Sequence, residues 1–130
     1  MIDHTLLECN QNDYANWNGS KKLELKDMEI FFEFWQRKYD FLDAIAKSNR
    51  VRLVIERCNL LLNQREGYGR FAGDLSNFAK EQAAYILTYS MMTILFRWHY
   101  FGFPASPQEM AQVAYDLFSA SSVVRTDFFL

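Results

Sequence analysis

Between residues 76 and 101 the chain sets apolar side chains on two opposite flanks of one helical projection. At about 100° per residue, Phe78, Tyr85, Tyr89, Met92 and Phe96 share one stripe. Ala84, Leu87, Met91, Leu95 and Trp98 fall roughly opposite, and only a narrow band of small or polar residues (Ala79, Ala83, Ser90, Arg97) separates the two. A surface helix needs one apolar face, so a helix with two is covered on both sides. Two arrangements satisfy this. The domain's own helices wrap it completely, or a second copy of the chain covers the Leu87 stripe. In the dimeric arrangement that copy also covers the apolar face of the last helix, Met110, Val113, Ala114, Leu117 and Phe118, because apolar patches of that size are rare on monomers.

The remaining pattern predicts an all-α protein. Only two prolines occur, and no long stretch alternates with the period of a strand. Residues 1–10 read as the end of a helix and "NQNDYANWNGS", 10–20, as a polar loop. A helix follows from about residue 23 to 38, with Met28, Ile30, Phe31, Phe32, Phe34, Trp35 and Tyr39 over a broad arc. Asp40 is expected to cap a short helix, "FLDAIAK". Ser48 is expected to cap the next, from 49 to about 65, whose face carries Val51, Val54, Ile55, Cys58, Leu61 and Leu62. "REGYGRFAGD" has three glycines and reads as a loop. Asp74 or Ser76 then starts the long helix. Gly102 ends it, and a capping box of Ser106 and Glu109 with Pro107 at the first helical position opens a last helix to about 119. The expected architecture is a single domain, 1–130, built as an antiparallel bundle of five to six helices, with 1–22 partly loop.

Composition narrows the function classes. A formal net charge of -2 gives no basic footprint for nucleic acid or an anionic membrane. The longest apolar run, "AAYILTYSMMTILF", stops at Arg97 and contains Thr, Tyr and Ser, so no membrane span is expected. Two distant cysteines, Cys9 and Cys58, do not make a disulfide framework, and the expected compartment is cytoplasmic.

Candidate chemistry is sparse. His4 and Cys9 lack a second pair at metal-ligand spacing, so no metal is expected. His99 suits a helix C-terminus, where a cation meets the dipole. Cys58 lies on an apolar face and reads as a buried thiol. Glu33 and Glu56 project to polar faces with Arg37 and Arg52 at i,i+4. No phosphate loop or nucleophile elbow occurs, so neither an enzyme nor a cofactor is expected. The aromatic wall is a different matter. Tyr85, Tyr89 and Met92 are expected to face Phe31, Trp35 and Tyr39 of the first long helix and Val54 and Cys58 of the third. An aromatic surface with a few polar tips and a flexible methionine suits an apolar or aromatic small molecule; the same stripe also reads as plain core.

The run "ILFRW", then aromatic residues with Gly102, then "SPQEM" opening a terminal helix, resembles the C-terminal domain of tetracycline-repressor-type (TetR/AcrR) transcriptional regulators. Trp98, Gly102, Ser106, Pro107 and Glu109 carry the likeness, and "EIFFEFWQRKYDFLDAIAKSNRVRLVIERCNLLL" is similar to the middle section of such domains. The likeness covers roughly 23–119. It implies that the last two helices form a four-helix interface in a homodimer, that the helices upstream enclose a hydrophobic effector, and that DNA is contacted only through a helix-turn-helix domain not in this chain. The alternative is a ligand-free helical dimerisation or protein-interaction module.

Overall fold

In the computed structural model of the chain, the described residues are 2–15, 24–62 and 76–119. They form six helices and no strand: α1 (Ile2–Ala15), α2 (Leu25–Gln36), α3 (Tyr39–Lys47), α4 (Val51–Leu62), α5 (Asn77–Tyr100) and α6 (Pro107–Ser119). α6 lies along α2, and α1 packs on α4 and α2. α5 packs on α4 and α3, and α3 also touches α2 and α4. The fold is all-α, as the spacing of apolar residues predicts.

Local chemistry explains where the helices start and stop. The Asp27 carboxylate accepts the Glu24 N–H at 3.1 Å, occupying a donor at the head of α2. Ser76 caps α5, its hydroxyl accepting the Ala79 N–H at 3.2 Å. At the other end Gly102, with φ of 76°, and Phe103, with φ of 56°, close α5 in a Schellman motif. The Phe103 N–H reaches the Trp98 carbonyl and the Gly102 N–H reaches the His99 carbonyl. The left-handed Phe103 is strained for a side chain of its size; its ring is held 4.5 Å from the Trp98 ring. The Trp98 indole N–H also donates to the Ala105 carbonyl at 2.9 Å, tying the helix to the loop after it. Ser106 and Glu109 then form the reciprocal capping box, at 3.0 and 3.1 Å, ahead of Pro107.

Several boundaries differ from the sequence reading. α1 runs to Ala15 and not to about residue 10, so residues 10–15 of the stretch read as a polar loop are helical and the remainder lies outside the described residues. Its buried face is short, with Leu6 and Cys9 one turn apart, and Arg57 of α4 grips Asp3 at 3.2 Å. Those anchors hold a segment whose Asn and Asp residues are poor helix formers. Asp40 does not cap α3. It sits in the first turn after Lys38, where a carboxylate suits the helix dipole. Ser48 does not begin α4. It ends α3, donating to the Ile45 carbonyl at 3.1 Å, and Asn49 adopts φ of 59°. The N–H groups of Asn49 and Arg50 satisfy the Ala46 and Ile45 carbonyls, a second Schellman closure with Asn in the glycine position. Residues 65–74, read as a glycine loop, lie outside the described residues, as do the side chains of Leu61, Leu62 and Ala84.

One core runs through all six helices. Trp35 and Phe32 of α2, Leu42 of α3, Val54 of α4, Met92 and Leu95 of α5 and Leu6 of α1 are its largest fully buried members. Ala111 and Ala114 of α6 are completely covered; their small side chains let α6 settle closely on α2. Both stripes of α5 belong to this core in its second half. Met92 and Phe96 on one flank and Met91, Leu95 and Trp98 on the other are all buried within the single chain. Nearer its start α5 is open, with Phe78 and Ile86 exposed.

Candidate effector site

The residues expected to line an effector pocket divide into three groups. Trp35, Val54, Cys58 and Met92 are buried in the common core, and Phe31 and Tyr89 pack against it. Residues of α2, α4 and α5 therefore share one core. Tyr85 lies at the margin. Its ring is 5.8 Å from that of Tyr89, and its hydroxyl donates to the Glu56 carboxylate at 3.0 Å. That bond, followed by desolvation, raises the Tyr85 hydroxyl above the ordinary phenol value. Tyr39 does not join the others. It opens α3, is about half exposed, and packs on His99 and Phe103 at ring separations of 5.2 and 6.0 Å. A helical projection continued past Arg37 places it with Phe31 and Trp35, but α2 stops at Gln36 and the chain turns.

Three phenylalanine rings pack on Trp35 within the common core. Phe34 lies edge-on at 5.2 Å, Phe41 tilts at 5.7 Å, and Phe31 stands at 6.5 Å. Phe32 turns edge-on to Trp98 at 5.5 Å, linking this cluster to the α5–α6 corner. The Trp35 indole N–H is closed off from solvent and has no hydrogen-bond partner among the described residues. Position on a helix face predicts that Trp35 is buried; it does not reveal the fate of its one polar atom.

A second polar residue is enclosed at the α3–α5 contact. His99 is buried, and neither of its ring nitrogens makes a hydrogen bond among the described residues. Its Nε2 stands 3.7 Å from the Asp43 carboxylate, which Lys47 already holds at 2.8 Å. The sequence assigns His99 only to a helix terminus, and nothing local marks Asp43, because the contact crosses two helices. Separately, a shallow depression of about 430 Å³ lies between α1 and α4, lined by Ile2, Asp3, Arg50, Leu53 and Arg57. It contains none of the aromatic residues.

Of the expected interface residues, Met91, Leu95, Trp98, Ala114 and Phe118 are covered by the chain itself. Their burial follows from the packing of α3 and α4 on α5 and of α2 on α6. Leu87 and Met110 are half-buried, and Val113 and Leu117 point outward. His4 is exposed while Cys9 is buried, so the two do not meet in a common site. Cys9 and Cys58 are buried thiols not joined by a disulfide. Among the described residues no group of three or more His, Cys, Asp or Glu is placed to hold a metal ion. No described helix is long and apolar enough to cross a membrane. No family model, characterised protein or solved structure matches this chain.

Proposed function

We propose that the chain is the effector-sensing and dimerisation domain of a TetR-type transcriptional regulator. It would bind an apolar or aromatic small molecule and control DNA binding by an attached helix-turn-helix domain. The observation that carries the reading is the α5–α6 corner. Each residue behind the resemblance has a distinct physical task there: Trp98 secures the loop, Gly102 turns the chain, and Ser106, Pro107 and Glu109 restart the helix. The convergence of Phe31, Trp35, Val54, Cys58, Tyr89 and Met92 on one core supports the effector half of the proposal. Val113 and Leu117, one turn apart and exposed on α6, support the homodimer half.

Such a domain acts by population shift, the effector favouring one subunit arrangement over another. The experiment is a thermal-shift screen of neutral aromatic compounds combined with sedimentation of the native chain. A ligand selective for the folded state raises the melting temperature, and a dimer sediments at twice the monomer mass. A monomer that no compound stabilises would overturn the proposal. One observation favours the second reading, a ligand-free interaction module: Trp35, Val54 and Met92 are each at most 1% exposed, as in a solid core. On that reading the sedimentation result stands and the screen is empty.

A further inference from the structure

The chain holds two buried tryptophans in contrasting states. Trp98 donates its indole N–H to the Ala105 carbonyl at 2.9 Å. Trp35, 1% exposed, donates to no acceptor among the described residues. Buried indole N–H groups ordinarily find an acceptor, because an unmade hydrogen bond in a dry interior is costly. The rings packed around Trp35, Phe31, Phe34 and Phe41, carry no lone-pair acceptor. A water molecule in their place would need two or more polar partners of its own. Phenylalanine would fill an aromatic site without an orphaned donor.

We infer that the Trp35 indole N–H is the polar anchor of the effector site, and that the effector is an aromatic body bearing a neutral hydrogen-bond acceptor, such as a ketone, ester or ring nitrogen. The inference rests on the effector-sensing reading and deepens it. Trp35 fixes the orientation of the aromatic body through one directional bond, in a core it shares with Phe31 and Phe41. A bare hydrocarbon leaves the N–H unsatisfied. A carboxylate would have to leave its hydration shell for a ring-lined site. Since the nitrogen is closed to solvent, the occupant enters only when the packing around Trp35 opens.

A matched pair of probes tests this. 2-Acetonaphthone and 2-isopropylnaphthalene have the same ring system and nearly the same shape, but only the ketone accepts a hydrogen bond. Their affinities are measured by calorimetry for the wild-type chain and for Trp35→Phe. The expected result is that Trp35→Phe weakens the ketone about fivefold more than the hydrocarbon, the value of one net hydrogen bond. Equal effects on both probes would overturn the anchoring role while leaving effector binding intact. Absence of binding by either probe would overturn this inference and the effector reading together. Should Trp35→Phe not fold, the wild-type indole N–H resonances decide, the Trp17 signal assigned by Trp17→Phe and the Trp98 signal by its nuclear Overhauser contact with Ala105, which it meets at 2.9 Å. The Trp35 signal is expected to move downfield with the ketone and to stay in place with the hydrocarbon, and an unmoved signal in bound protein rejects the anchor.

Discussion

Gly102 and the two buried tryptophans give effects that a single side chain decides. At Gly102 the backbone sits at φ of 76°, and a methyl group there would meet nothing within 4 Å. The cost of Gly102→Ala is therefore conformational, about 1 kcal/mol, and thermal unfolding should show a midpoint lowered by about 4 °C. A much larger loss would mean that the corner is packed more tightly than its open surroundings allow. Trp98→Phe and Trp35→Phe form a second comparison. Both shed ring volume from the core, but only Trp98→Phe abandons a hydrogen bond and leaves the Ala105 carbonyl without its donor. Trp98→Phe should be the more destabilising by about 1 kcal/mol in denaturant unfolding. Equal losses would imply that Trp35 has an acceptor after all.

The α5–α6 connection is the part of the fold most legible in the sequence, because every signal that builds it is local. Ser106, Pro107 and Glu109 act within one turn, so α6 starts at the residue their spacing names. Ser106→Ala should cost about 1 kcal/mol, read as lost thermal stability with earlier exchange of the first amides of α6. Elements fixed by distant contacts are harder to read. Ser48 carries a hydroxyl equally suited to either end of a helix; the left-handed Asn49 decides the matter, and that conformation follows from α4 having to turn back on α3. α1 persists through Asn10 and Asn12 because Leu6, Cys9 and Asp3 are anchored elsewhere, which no window of local propensity contains. The Asp3 anchor makes α1 acid-sensitive. Its hydrogen bond to Arg57, reinforced by charge, holds the Asp3 carboxyl below the ordinary carboxylate value. A group whose folded-state value is depressed contributes stability above its unfolded value, about 3.9, and loses it as pH falls through the lower folded value. Amides of α1 should therefore exchange faster as pH drops below about 4, relative to those of α5. Asp3→Asn should show the fast exchange already at neutral pH and lose this pH dependence.

At the scale of the whole molecule, the question is which surfaces remain for a partner once the chain has folded. Periodicity identifies α5 as covered on two flanks, but a helical projection records faces and not who covers them. In the structure the second half of α5 is enclosed by the chain's own helices, so the Met91, Leu95 and Trp98 stripe needs no sister subunit. This changes how dimerisation has to be tested. A charge placed at Met91 or Phe118, each 7% exposed, would disrupt the core and abolish a dimer only by unfolding its subunits. Leu117 is 59% exposed and Val113 54%, so charges there leave the core untouched. If α6 meets its copy through these two residues, the melting temperature of the native chain rises with protein concentration, because association stabilises the folded state by mass action. Leu117→Glu should remove that dependence while retaining the helical content and the midpoint of the dilute native chain. A native midpoint independent of concentration, or a Leu117→Glu chain that still sediments as a dimer, would place any partner on another surface, with exposed Tyr100 and Phe101 at the end of α5 as the next residues to substitute.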